Sequence, residues 1–178
     1  MVFLELVRKR RSIRKYSSRK VPSEVLQRCL EASRLSPSAC NSQPWFFVVI
    51  MDDLIRKKAA EAAFSGIYSM NSFAKDAPVL VAVVRERSKY IASLGGYFRG
   101  TQYSLIDIGI ACEHFILQAT EEGLGTCWIG FFNERRLKKV LGLSKRKKID
   151  IIISMGYPEE ESSYVKKKKS LKEISRII

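Results

Sequence analysis

The chain alternates helix-periodic stretches with short unbroken apolar runs, a pattern that predicts helices and buried strands packed together. Phe3 to Arg10 sets Phe3, Leu4, Leu6 and Val7 at helical spacing and predicts a short amphipathic helix. Pro22-Ser23 opens a second helix over Glu24 to Leu35, with Ser23 as N-cap and Val25, Leu26, Cys29 and Leu30 as its buried stripe. Phe46 to Met51 contains no polar residue and reads as a buried strand. Asp52-Asp53 then begins a helix through Phe64, where two carboxylates suit the positive end of the helix dipole.

Gly66 to Asp76 is polar and predicts irregular structure, and Pro78 to Val84 predicts a second strand. Glu86 to Gly100 has no clean period and contains Gly95, Gly96 and Gly100, so a mobile loop is expected there. Thr101 to Glu122 is the longest helical pattern. Leu105, Ile108, Cys112, Phe115, Ile116 and Ala119 line one side, and Ile106, Ile110 and Leu117 widen it. A helix so apolar around its circumference is expected to be buried, in part against a second subunit. Leu124 to Gly130 predicts a third strand, Asn133 caps a short helix to Leu141, and Ile149 to Gly156 predicts a fourth strand. The last twenty residues carry no compact pattern and read as an arm. No repeat or linker divides the chain, so residues 1–178 are expected to form one α+β domain.

Composition narrows the class. The 178 residues are 46% hydrophobic and 28% charged, which is ordinary for a globular protein. No apolar run reaches bilayer length and Met1 to Arg14 lacks the core of a secretory signal, so a cytoplasmic location is expected. Cys29, Cys40, Cys112 and Cys127 are widely spaced and read as small buried hydrophobes. His114 is the sole histidine, too few for a Cys/His metal site, and reads as a buried, hydrogen-bonded residue. The net charge of +14 concentrates in Arg135 to Lys148 and Lys166 to Lys169. It permits attraction to nucleic acid or to an anionic cofactor, although such runs are ordinarily solvated faces.

Two stretches carry the candidate chemistry. Arg10-Arg11-Ser12-Ile13-Arg14 packs three guanidinium groups and a hydroxyl into five positions. Guanidinium is a fixed-charge planar fork that matches phosphate oxygens. Ser36-Pro37-Ser38-Ala39-Cys40-Asn41-Ser42-Gln43-Pro44-Trp45 is rich in small and amide residues. Amides donate and accept at once, which suits the edge of a heteroaromatic ring. Phosphate at one end and a uracil-like edge at the other describe flavin mononucleotide (FMN).

These two motifs, followed by Gly123-Leu124-Gly125-Thr126-x-Trp128-Ile129-Gly130, resemble the nitroreductase family of FMN-dependent oxidoreductases in order and spacing along nearly the whole chain. The resemblance implies a central, mostly antiparallel sheet flanked by helices, and a homodimer with FMN at the subunit interface and a C-terminal arm wrapping the partner. It implies that Arg10, Arg11 and Ser12 contact the phosphate and ribityl chain, with Lys166 and Lys168 of the arm closing that pocket. A plain lysine run stands there in place of the family's common arginine, which leaves the register of that contact open.

By the same resemblance Arg14 lies near N1 and O2 of the flavin, where a cation stabilises the negative charge that reduction places there. Asn41 faces the pyrimidine, and Pro37 and Ser38 are supplied by the other subunit. Gly130 permits close approach and, with Ile129, presents a main-chain N–H to flavin N5. Gln43 and Trp45 serve turn closure and core packing as readily as the cofactor. Asn71 and Lys75 align too loosely to be assigned. No protein acid, base or nucleophile set is evident, so the flavin is expected to carry the chemistry: hydride from NADH or NADPH, then transfer to a small acceptor such as a nitroaromatic or quinone, in ping-pong order.

Two other readings compete. Within the family, flavin fragmentation or reductive dehalogenation would use the same cofactor, though those branches carry longer lids. A basic nucleic-acid-binding protein would explain the charge, but aromatics are not interleaved with the basic residues and no RRM, KH or zinc-finger signature occurs.

Overall fold

The structure, a computed structural model, describes residues 2–87, 100–160 and 167–178. Most of the predicted loop at 86–100, and Lys166, lie outside them. The sheet is built around its two most buried long strands. β2 (Val79–Arg85) and β4 (Lys148–Gly156) pair antiparallel in the middle, β1 (Trp45–Ile50) pairs with β2, and β3 (Gly125–Ile129) pairs with β4. The order is β1-β2-β4-β3, antiparallel throughout.

Six successive residues of β2 are buried, which requires cover on both sheet faces. Side chains alternate along a strand. Leu80, Ala82 and Val84 join one core with Ala59, Ala60 and Ala63 of α3 (Asp53–Ala63) and Leu137 of α5 (Glu134–Val140). Val79, Val81 and Val83 join a second core with Val25, Leu26 and Cys29 of α2 (Ser23–Arg34) and Ile108, Cys112 and Phe115 of α4 (Tyr103–Glu121). The β2–β4 register slips between Val83 and Val84, where Val83 faces Ile151 and Val84 faces Ile149. Asp150 is the extra residue of this bulge, and both its oxygens bind Arg85, at 2.7 and 2.9 Å.

Element ends follow local chemistry. Asp52 caps α3 by accepting from Ile55 N at 2.9 Å, and Asn133 caps α5 by accepting from Arg136 N at 3.1 Å. Ser23, expected as an N-cap, is instead the first helical residue: Pro22, extended, holds the cap position without a side-chain bond. Gly66 to Asp76, expected to be irregular, forms a 3₁₀ run with a kink at Asn71. The arm contains one short helix, α6 (Leu171–Ile174), where Ser170 N donates to Glu173 Oε2 at 2.7 Å.

Among the described residues, α1 (Phe3–Lys9) and the start of α4 leave apolar side chains uncovered. α1 buries no residue, and Phe3 and Leu4 are more than 60% exposed. Leu105 and Ile106, near the start of α4, are also exposed, unlike the buried Ile108, Cys112, Phe115, Ile116 and Ala119 that follow. Of the cysteines, Cys40 departs from the expected burial and is exposed. No helix among the described residues is long and apolar enough to cross a membrane.

Candidate functional site

The arginine segment is fixed by β3. After α1 ends at Arg10, the chain runs extended beside that strand. Ser12 bridges Thr126 in parallel, and Ile13 N donates to Thr126 O at 2.8 Å. Gly125 makes the approach possible: a Cβ there would lie 2.5 Å from Ile13 Cγ1. Tyr16 anchors the far end. Its hydroxyl donates to Ile13 O at 2.7 Å and shares a 2.8 Å hydrogen bond with Ser154 Oγ of β4. Burial pushes this phenol well above its ordinary range, against the opposing effect of the Ser154 hydrogen bond, so it stays a neutral strut.

The side chains of the segment then diverge. Arg10 turns to α4 and makes a long ion pair with Glu113, 3.9 Å. Arg11 lines a cavity of about 740 Å³ with Arg8, Lys9, Arg19 and Tyr157. Ser12 is half-buried at the β3 edge, and Arg14 is exposed with its guanidinium 5.5 Å from the centre of the Phe73 ring. Arg10 and Arg11 thus serve different surroundings, although they are adjacent in sequence.

The amide-rich stretch is gripped by its own chain. Ser36 Oγ and His114 Nδ1 are 2.8 Å apart, and Ala39 N donates to Asp107 Oδ1 at 3.1 Å, both partners lying on α4. Within the loop, Gln43 N donates to Ser38 Oγ at 2.9 Å and Gln43 Nε2 donates to Asn41 Oδ1 at 2.8 Å. Gln43 therefore closes the turn. Cys40, Asn41 and Gln43 all have positive φ, near +50°, so the loop is held in a left-handed shape that side chains other than glycine adopt rarely. Pro37 and Asn41 are exposed, and Trp45 packs against the second core.

At the end of β3, Ile129 is buried and Gly130 exposed. A Cβ at Gly130 would meet no protein atom within 4 Å. Packing within the chain therefore does not require glycine at 130, in contrast to 125. Asn71 Nδ2 donates to Phe131 O at 2.8 Å, and Tyr68 packs on the Phe131 ring. Lys75 pairs with Glu61 at 2.6 Å. Lys168 is exposed in the arm.

Sequence reasoning missed Asp107 and left Asn71 unassigned. A lone carboxylate inside the otherwise apolar first half of α4 was the available signal for Asp107. Its Oδ2 is buried without a hydrogen-bond partner among the described residues. No periodic signal exists for Asn71, because it acts at the kink of a 3₁₀ run. Nearby on α4, burial pushes the Cys112 thiol up to about 12, which keeps it protonated and unreactive.

An antiparallel sheet covered on both faces, with an arginine segment docked on its edge strand, is an α+β architecture. Residues 7–157 match the Nitroreductase family model, and the chain belongs to that family of oxidoreductases. It is 33% identical over 165 residues to an Archaeoglobus fulgidus protein provisionally named NADH dehydrogenase/NAD(P)H nitroreductase, covering 90% of this chain and 88% of that one. A solved nitroreductase family protein from Clostridium difficile 630 superposes with a TM-score of 0.78 at 31% identity, covering 99% of this chain and 98% of the other. An FMN-dependent nitroreductase from Clostridium difficile R20291 superposes with a TM-score of 0.74 at 27% identity, covering 92% of each chain.

Proposed function

We propose that the protein is a homodimeric FMN-dependent oxidoreductase. It takes hydride from NADH or NADPH and passes electrons to a small acceptor, of which nitroaromatics and quinones are the classes expected, in the cytoplasm. The observation that carries this reading is the docking of Arg10–Arg14 along β3. A backbone hydrogen bond and a bridge fix cations and a hydroxyl beside the strand that ends in Ile129-Gly130.

The donor set fits the cofactor. Arg10, Arg11 and Ser12 offer charge and hydrogen bonds suited to a phosphate, and the arm lysines Lys166 and Lys168 are proposed to add charge to it. Arg14, fixed in charge and held over Phe73, suits the electron-rich pyrimidine edge. Ser38 and Asn41, with Pro37 beside them, lie on the strained loop that faces outward from one protomer, which suits contact with a cofactor shared by two. Bound there, FMN supplies the two-electron acceptance and release that no side chain provides. The protein then orients the reactants, keeps water from the ring face and biases the charge of the reduced cofactor. Gly130 leaves room for close approach of its backbone N–H.

The test is direct. Purified protein should be yellow, release FMN on denaturation, lose its colour anaerobically with NADH or NADPH, and regain it with an acceptor. Protein that is colourless and cannot be reconstituted with FMN overturns the reading.

A further inference from the structure

Half of the net charge sits in two segments that meet where β2 ends and β4 starts. Residues 85–87 and 133–150 hold ten lysines and arginines against three acids, a surplus of seven out of +14. A cleft of about 560 Å³ opens there, lined by the basic Arg85, Arg87, Arg146, Lys147 and Lys148 and by the acidic Glu86. Ion pairs fix its walls. The bulge at Asp150 turns that carboxylate onto Arg85, Lys147 holds Glu86, and Lys148 holds Glu134. Arg87 and Arg146 are exposed and have no acidic partner among the described residues. Two unneutralised guanidinium groups in a rigid cationic cleft match the charge and oxygen geometry of phosphate.

Its position ties the cleft to the candidate flavin site. Glu86 N donates to Pro44 O at 3.0 Å, and Arg85 pairs with Trp45, so the cleft adjoins the strand fed by the 36–44 loop. Ile129 pairs with Ile152, midway along β4, so β4 runs from the level of Gly130 back to Lys148 and the cleft. We infer that this cleft is the subsite for the phosphate groups of the dinucleotide electron donor, with Arg87 and Arg146 as its direct contacts. The inference rests on the oxidoreductase reading above. A nucleic-acid strand fits less well: the cleft has small-ligand size, and no aromatic side chain lines it to stack a base.

The experiment uses the FMN-loaded protein and follows anaerobic flavin reduction by NADH, by NADPH and by 1-benzyl-1,4-dihydronicotinamide, a neutral donor without phosphates. In Arg87→Gln/Arg146→Gln, half-saturation for NADH and NADPH should rise about ten-fold at an unchanged limiting rate. The concentration dependence for the neutral donor should not move. Added salt should weaken the wild-type response to NADH and not to the neutral donor. Lys57→Gln/Lys58→Gln, the same two-charge change on α3, should leave the NADH titration unmoved. A double variant that titrates with NADH as wild type does overturns the inference. So does an oligonucleotide that competes with NADH for the cleft and is released by the same substitutions. Flavin that no dihydronicotinamide bleaches, charged or neutral, removes the underlying reading instead, and the subsite with it.

Discussion

Replacing Gly125 with alanine puts a methyl group where Ile13 already lies. The new Cβ would be 2.5, 2.7 and 2.9 Å from Ile13 Cγ1, Cβ and Cγ2. Carbon atoms pack at about 3.5–4.0 Å, so Ile13 must retreat by about 1 Å. It cannot do so alone, because its N–H is bound to Thr126 O and its carbonyl to the Tyr16 hydroxyl. Overpacking costs about 1–3 kcal/mol and a broken hydrogen bond about 1 kcal/mol, so a loss of about 3 kcal/mol is expected. For a chain of this size that lowers the melting temperature by about 6–12 °C at fixed protein concentration. The displaced segment carries Arg10, Ser12 and Arg14 together, so FMN affinity, read by quenching of flavin fluorescence, should fall in the folded variant. Gly130→Ala supplies the contrast. Its methyl group meets nothing within 4 Å, so the apo melting temperature should hold while FMN affinity falls. Wild-type stability and FMN affinity in Gly125→Ala would refute the claim that this contact sets the register of the arginine segment.

Three further outcomes test separate links. Arg14→Ala should retain FMN less well and lower its reduction potential; an unchanged potential in FMN-loaded variant protein removes the charge-stabilising role of Arg14. Ile106→Glu puts a charge on the uncovered face of α4 and should shift sedimentation from dimer to monomer with loss of FMN; a dimer that keeps its flavin places the interface elsewhere. Burial raises the Glu134 carboxyl, but hydrogen bonds from Lys148, Ile149 N and Lys138 outweigh it, and the net shift is downward. Its contribution is therefore complete above the ordinary carboxyl value and lost as pH falls through the lowered folded value. The stability gap between wild type and Glu134→Gln should be widest near neutrality and close in acid; thermal melts with a gap constant down to pH 3 would contradict this.

Much of the fold was legible in the sequence because β2 is apolar up to Arg85, β4 is rich in isoleucine, and α2 and α4 are periodic. Those signals survive without tertiary context. The Gly66–Asp76 run was not legible, since a 3₁₀ segment has no strong period and is held here by contacts such as Asn71 to Phe131. The Asp150 bulge was equally invisible: nothing in Ile149-Asp150-Ile151 announces that one residue drops out of register to meet Arg85. The candidate site was readable as a set of residue types and not as a geometry. Adjacent Arg10 and Arg11 look equivalent on paper, yet one turns to Glu113 and the other to a separate cavity. Cys40 read as a small hydrophobe, but its left-handed backbone belongs to an exposed turn.

One helix connects the two halves of the donor set. α4 meets the arginine segment through Glu113 and Arg10, and it holds the amide loop through Asp107 with Ala39 and through His114 with Ser36. Leaving Asp107 Oδ2 buried without a partner costs about 1–3 kcal/mol, a penalty that an apolar residue would avoid. The main-chain bond to Ala39 is what the carboxylate gives in return, and it fixes a loop whose φ values are strained already. The same helix exposes Leu105 and Ile106 at its start. A second copy packed on that face would press on the element that holds both the loop and the arginines. In the proposed dimer, association and FMN binding would be coupled, each stabilising the other by the same free energy.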